Sequence, residues 1–342
     1  MSGGDQAAPR LPALERSRAL ALLDAARDVH VVVVGDVMLD HFMVGRVSRV
    51  SPEAPVPVLE FDREFFVPGG AANVAHNARA LGARVTLVGL VGDDAAGADL
   101  RGLLEGRGIA GSGLIVDPAR PTTRKMRLAT TRNQQVARVD VERADDAEGV
   151  LGDALAAAAE TAVASAGVVI VSDYLKGVVT PAVMARVIGA AHGRDVPVLV
   201  DPKVPHVARY AGATLLTPNH HEAEVATGLT IRTAADVQRA ARRLAEQARV
   251  DGVLVTWGEQ GMWLSHGAVE GHLPATAREV ADVTGAGDTV VAVLGAMLAA
   301  GATSAEAARL ANDAAGIVVT RFGTSAVTAD DLRARLSPAV GG

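Results

Sequence analysis

Cysteine is absent from the 342 residues. That removes disulfides, a thiolate nucleophile and any cysteine-based metal site, and it fits a cytoplasmic setting. Aromatic residues are scarce, at 3%. Positive charge is not in excess: 33 Lys and Arg face 39 Asp and Glu, for a net charge of −6. A protein that tracks nucleic-acid phosphates carries a basic stripe instead, so an anionic ligand here needs a local cluster of cations. Long apolar runs are also missing. The longest strand-type run, Val29–Val34, falls far short of the ~20 residues that cross a bilayer. Met1 to Pro12 lacks the basic-then-apolar pattern of a signal peptide. No Gly-x-x-x-x-Gly-Lys-Ser/Thr loop and no Gly-x-Ser-x-Gly elbow occur. Gly106 to Gly111 does read Gly-x-Gly-x-x-Gly, but it closes a helical segment and follows no strand, which excludes it as a dinucleotide site.

What is present is apolar and periodic. Hydrophobic residues make up 49% of the chain and charged residues 21%, enough for a large core. Short β-branched runs recur at Val29–Val34, Arg84–Val91, Val168–Val171, Val196–Val200, Thr214–Thr217 and Val253–Thr256. Helical spacing falls between them, over Ala71–Leu81, Asp94–Arg107, Gly149–Ala164, Pro181–His192, Thr233–Gln247, Gly285–Ala300 and Ser304–Phe322. Continuous apolar strands alternating with helices predict an α/β fold, a doubly wound and mainly parallel sheet with helices on both faces. Two stretches break the rhythm. Phe42–Val47 with Pro55–Phe66, and Thr122–Leu128 with Gln135–Val141, read as strand pairs, Pro55 and Pro57 placing one strand at an edge. The expected organisation is one domain over 29–335 with a small β lid from 42–66 and 122–141. Residues 1–28 form an extension, disordered to about residue 12 and then helical from Leu14 to Asp28.

Five motifs can carry chemistry. In Asp282-Val283-Thr284-Gly285-Ala286-Gly287-Asp288 the glycines permit a tight turn, and the apolar run that follows is a helix. Free N–H groups at its start suit developing negative charge, and Asp288 is placed to take a proton from an attacking hydroxyl. A glycine turn with Asp288 as a cap is the plainer alternative. Asn219-His220-His221-Glu222 opens a helix after a strand. Asn219 and Glu222 share a face there, as Mg²⁺ ligands through water or as a capping box. Thr256-Trp257-Gly258-Glu259-Gln260-Gly261 is a loop for phosphate or adenine, or a plain turn. Gly69, Gly70 and Asn73 open another helix, and Asp36 and Asp40 flank the end of the first strand. Four of the five begin at strand carboxyl ends, where doubly wound sheets bind ligands.

In this order the motifs resemble the ribokinase-like (PfkB) carbohydrate kinases, from about Val29 to Leu332. The resemblance implies ATP as donor, Mg²⁺ as cofactor and a small-molecule sugar as acceptor. It implies Asp288 as catalytic base and the Gly285, Ala286 and Gly287 backbone as anion hole. Asn219, His220, His221 and Glu222 look like the nucleotide-phosphate and Mg²⁺ segment, with Asn219 and Glu222 on the metal. Thr256, Gly258 and Gly261 look like the ATP loop and Asn312 like an adenine-pocket residue. Asp36, Asp40, Gly69, Gly70 and Asn73 look like acceptor ligands. Gly35–Asp40, Ser51–Val58, Arg132–Gln135, Ser172-Asp173-Tyr174 with Lys176-Gly177, and Asp201-Pro202-Lys203 are similar to the branch acting on D-glycero-β-D-manno-heptose 7-phosphate. That branch makes the 1,7-bisphosphate for ADP-heptose. The chain ends soon after the last kinase helix, so a stand-alone kinase without an adenylyltransferase domain is expected. Kinases of fructose 1-phosphate or tagatose 6-phosphate type, and a non-catalytic sugar-binding regulator, are the competing readings. The acceptor's own phosphate calls for cations, with Arg138 and Lys176 the expected pair and salt bridges to Asp140 or Asp173 the alternative. Phe42, Phe61, Phe65 and Phe66 concentrate in the lid and predict a homodimer formed through it. No nucleic-acid or membrane partner is expected.

Overall fold

The computed structural model describes residues 9–277, 279–321 and 323–336. In chain order its strands are β1 (His30–Gly35), β2 (Val37–Val50), β3 (Pro57–Gly70), β4 (Arg84–Gly92), β5 (Leu114–Asp117), β6 (Arg124–Thr130), β7 (Gln135–Val141), β8 (Val168–Ser172), β9 (Val198–Asp201), β10 (Leu215–Leu216), β11 (Gly252–Thr256), β12 (Met262–His266) and β13 (Val269–Leu273). The helices are α1 (Arg16–Ala25), α2 (Ala71–Ala80), α3 (Ala95–Glu105), α4 (Gly149–Val163), α5 (Pro181–His192), α6 (His220–Thr227), α7 (Ala234–Ala248), α8 (Ala286–Ala299), α9 (Ser304–Val318) and α10 (Ala329–Leu336).

Alternation along β1 explains the layers. Successive side chains on a strand point to opposite faces. Val31 and Val33 enter one core with α1, α2, α3, α8, α9 and α10, while Val32 and Val34 enter another with α4, α5, α6 and α7. All four are fully buried, worth about 1.5–3 kcal/mol each. The main sheet runs β13-β12-β11-β10-β9-β8-β1-β4-β5, parallel except for the β11–β12–β13 meander at one edge. From β1 the chain winds to β4 on one side and to β8 on the other, so the switch point lies between β1 and β8. The mainly parallel α/β fold expected from the sequence is what the chain adopts. Among the described residues no helix is long and apolar enough to cross a membrane.

A second sheet, β3-β2-β6-β7, lies apart from the first. It grows directly from it: β1 ends at Gly35, and β2 begins at Val37 after Asp36 alone. β2 and β3 run 14 residues each, beyond the expected segments, because Val37–His41 pair with Phe66–Gly70 at one end and Arg49 and Val50 with Val58 and Pro57 at the other. β3 begins at Pro57 and sits at an edge, as a strand lacking that N–H must.

Some expectations need correction. Part of the lead is ordered: Leu11 is buried, Arg10 bridges to His272, and Arg309 donates to the Leu11 and Pro12 carbonyls. One apolar anchor is enough to dock it. Residues 1–8, the rest of that lead, lie outside the described residues, as does Phe322, the expected end of α9. β5, the β12–β13 hairpin and α10 are additions. They are short, and no strong period marks them.

Candidate active site

Asp288 sits in the first turn of α8 and is buried. The turn before it depends on Gly285, which has φ +78°, and a Cβ there would come 2.9 Å from the Asn73 amide nitrogen. Asn73 belongs to the first turn of α2, which β3 enters through Gly70 at φ +56°. A Cβ on Gly70 would meet the Asp36 carbonyl at 2.4 Å. Two helix amino ends therefore converge, and their partial positive charge favours anions between them.

Two neutral donors hold the Asp288 carboxylate. Asn73 Nδ2 donates to Oδ2 at 2.7 Å, and Tyr174 OH donates to Oδ1 at 2.9 Å. Burial pushes the Asp288 pKa up to about 6, against the lowering effect of these two bonds. Within the expected anion hole the Ala286 N–H is already used, donating to Val283 O at 3.2 Å. No backbone carbonyl of the described residues accepts from Gly287 or Asp288 N–H. Of the expected set, Gly285 and Gly287 N–H have no backbone carbonyl acceptor among the described residues, and Asp288 N–H joins them.

The second sheet lines the acceptor side. Asp40 on β2 is buried and paired with Arg127 of β6, and a Cβ on Gly69 would come 2.6 Å from its Oδ2. The glycine makes room for that carboxylate. Lys125 on β6 lies 5.8 Å from the Tyr174 ring centre. Asp40, Gly69, Asn73 and Asp288 therefore share one neighbourhood.

Asp36 holds backbone partners that the sequence did not show. Its carboxylate accepts three backbone N–H groups, from Tyr174 at 2.7 Å, Lys176 at 3.0 Å and Val178 at 3.0 Å. Asp36 is a staple for the 174–178 loop, with both its oxygens engaged by backbone N–H groups. Burial still lifts its pKa to about 6. The phosphate pair is corrected as well. Arg138 forms a two-pronged bond with Asp140, at 2.9 and 3.0 Å, while Lys176 pairs with Glu142 at 2.8 Å. The anticipated Asp140 bridge exists; Asp173 instead binds Tyr210, His206 and the Leu175 N–H.

On the donor side a cleft of about 610 Å³ opens between α6, the β11–β12 loop, α8 and α9. Asn219, His220, His221, Glu222, Thr256, Gly258, Gly261, Ala286, Gly287 and Asn312 all line it. Tyr174 lines it too, joining it to the acceptor side. Asn219 and Glu222 form a reciprocal capping box, each bond 2.9 Å, and Glu222 also meets Lys203. The plainer reading of this pair is therefore present in the geometry. His220 and His221 stack on each other at 3.9 Å. Gly261 at φ +94° lets the Leu273 carbonyl approach closely, and Asn312 Nδ2 donates to Pro274 O at 2.9 Å, leaving its carbonyl oxygen for a ligand.

Four residues at this junction were not anticipated as ligands: Tyr174, Asp201, Lys203 and Lys125. The first three sit where β8 and β9 end, the position that marked the other motifs. Burial lowers the pKa of the Lys203 ammonium, but Asp201 and Glu222 outweigh it, so it stays above an ordinary lysine. Asp201 is pushed well above the carboxylate range by burial, against the pull of Lys203.

The pfkB family carbohydrate kinase pattern matches residues 28–331. The bifunctional protein HldE of Caulobacter vibrioides is 50% identical over 313 residues, and that of Geobacter metallireducens 46% over 317. These alignments take in 91% and 92% of this chain but 64% of each relative, so the chain spans under two thirds of their length. Among solved structures, phosphofructokinase-2 from Escherichia coli superposes with a TM-score of 0.75 at 21% identity, covering 91% of this chain and 100% of that one. Ribokinase from Arabidopsis thaliana, complexed with ribose and ATP, gives 0.71 at 21%, with the same coverage. Such identities speak for the fold; the pattern over nearly the whole chain speaks for the family. With a buried aspartate at a helix start between two lined pockets, the chain belongs to the pfkB family of carbohydrate kinases.

Proposed function

We propose that this kinase phosphorylates the anomeric C1 hydroxyl of D-glycero-β-D-manno-heptose 7-phosphate, giving the 1,7-bisphosphate for ADP-heptose synthesis in the cytoplasm. The observation that supports it most is the 46–50% identity to HldE proteins over nine tenths of the chain, with the Gly35–Asp40, Ser172–Tyr174 and Asp201–Lys203 motifs at the site. Phosphoryl transfer asks the protein for alignment, exclusion of water and charge stabilisation. Asp288 accepts the proton of the attacking hydroxyl at its carboxylate, oriented by Asn73 and Tyr174. The Gly287 and Asp288 N–H groups face the charge that gathers on the transferred group. Lys203 at the cleft wall meets the nucleotide's phosphates, and the second sheet covers the sugar as a lid.

A divalent ion fits the donor chemistry here. Asn219 and Glu222 offer amide and carboxylate oxygens, the hard ligands Mg²⁺ prefers. Among the described residues no three His, Asp or Glu gather as a metal cage, so nucleotide phosphates and water would complete the shell. When bound, Mg²⁺ neutralises phosphate charge. The homodimer is also proposed, now resting on fewer side chains. Phe42 is buried under Arg127 and stacked on Phe65, and Phe66 packs on the core; Phe61 and Phe65 remain exposed with Val47, Val50 and Val139. The test is a panel of sugar phosphates with ATP, scored for ADP release. Heptose 7-phosphate should exceed fructose 1-phosphate and tagatose 6-phosphate in kcat/KM by at least about tenfold; equal or reversed rates would overturn the assignment.

A further inference from the structure

One face of the second sheet holds more cations than carboxylates. Residues directly opposite in neighbouring strands share a face. Asp40 on β2 stands opposite Lys125 on β6, and Lys125 opposite Asp140 on β7. Arg127 stands between Phe42 and Arg138. With Lys176 of the 174–178 loop, this surface carries four cations against Asp40, Asp140 and Glu142. Each carboxylate has taken one partner: Asp40 holds Arg127, Asp140 holds Arg138, and Glu142 holds Lys176. Lys125 is left over. No carboxylate of the described residues forms an ion pair with it, and its recorded contact is with the Tyr174 ring. It is also half-buried, so burial lowers its pKa. An unpaired ammonium in that setting is an anion site awaiting its ligand.

The position selects which anion. Lys125 is not among the residues lining the donor cleft, whereas Lys203 is, 5.4 Å from the same tyrosine ring. Tyr174 thus has its hydroxyl on Asp288 and an ammonium of each side near its ring. A sugar whose first hydroxyl meets Asp288 extends along Tyr174 toward β6, bringing its far end to Lys125. We propose that Lys125 is the specificity residue that binds the phosphate already carried by the acceptor, in place of Arg138 and Lys176, whose charges are spent. This rests on the reading of the enzyme as a phosphosugar kinase.

The experiment compares heptose 7-phosphate with unphosphorylated heptose in wild type, Lys125→Met and Lys125→Arg. The readout is the ratio of the two kcat/KM values, which loss of folded enzyme leaves unchanged because both substrates lose equally. Wild type should prefer the phosphorylated sugar strongly. Lys125→Met should shrink that ratio about ten- to a hundredfold, the size of one charged hydrogen bond. Lys125→Arg should retain most of it, and KM for ATP should not move in either variant. A strong wild-type ratio that survives Lys125→Met overturns this placement and leaves the phosphosugar reading standing. A shift in ATP KM in its stead assigns Lys125 to the nucleotide and overturns the placement as well. A wild-type ratio near one overturns both.

Discussion

Removing the Tyr174 hydroxyl isolates the tuning of the proposed base. In Tyr174→Phe the 2.9 Å bond to Asp288 Oδ1 disappears while the 2.7 Å bond from Asn73 remains. Both bonds lower a pKa that burial lifts to about 6. A hydrogen bond to a charged acceptor is worth about 1.5–3 kcal/mol, and 1.36 kcal/mol corresponds to one pH unit. Losing one should therefore raise the Asp288 pKa by about one to two units. The base acts deprotonated, so activity is present above its pKa and lost as the pH falls through it. Wild-type kcat/KM should fall below pH of about 6. The variant's acid limb should sit near pH 7–8, costing about two- to tenfold at pH 7 and recovering at pH 9. Steady-state kinetics from pH 5 to 9, with a thermal melt as fold control, provide the measurement. An acid limb that stays in place, or a loss that persists at pH 9, would refute the reasoning, since a packing defect has no reason to titrate.

Other expectations test neighbouring parts. Asp288→Asn keeps the shape and removes the base, so kcat should drop by about 10²–10⁴ with ATP KM little changed, and a variant retaining a tenth of wild-type turnover contradicts the assigned role. Asp36→Ala leaves one buried and two part-buried N–H groups without an acceptor and should cost about 3 kcal/mol in denaturant unfolding, whereas a sugar ligand would cost activity alone. Light scattering at micromolar concentration should give twice the chain mass, and Phe61→Glu should halve it; a monomeric wild type removes the lid dimer.

The layers were readable because they depend on local pattern. Val31–Val34 are β-branched and flanked by helical periods, and the sheet formed where they fall. The glycine turn before Asp288 was equally visible, since Gly285 needs both its φ and the absence of a Cβ beside Asn73. Pairing across the fold was not visible. Asp36 and Tyr174 are 138 positions apart, and nothing local distinguishes a carboxylate that binds three backbone N–H groups from one that binds a sugar. The cations show the same limit. Arg138 and Lys176 look alike in sequence to Lys125, and only the register of β2, β6 and β7 reveals which charge is left without a partner.

The choice of Asp288 over its neighbours follows from how each buried acid at this end of the sheet is held. Asp36 is committed to backbone N–H groups. Asp40 is already paired with the Arg127 guanidinium. Asp173 is shared among Tyr210, His206 and the Leu175 N–H. Asp201 goes the other way: burial pushes its pKa well above the carboxylate range, against the pull of Lys203. Among these five buried acids, Asp288 alone is held by neutral side-chain donors only, with its pKa at about 6. Burial alone would raise its pKa further, and a salt bridge would lower it toward that of an ordinary aspartate. Two neutral hydrogen bonds set it between those limits, ionised at neutral pH and still able to take a hydroxyl proton. In the proposed mechanism Asn73 and Tyr174 are therefore as much a part of the base as the carboxylate they hold.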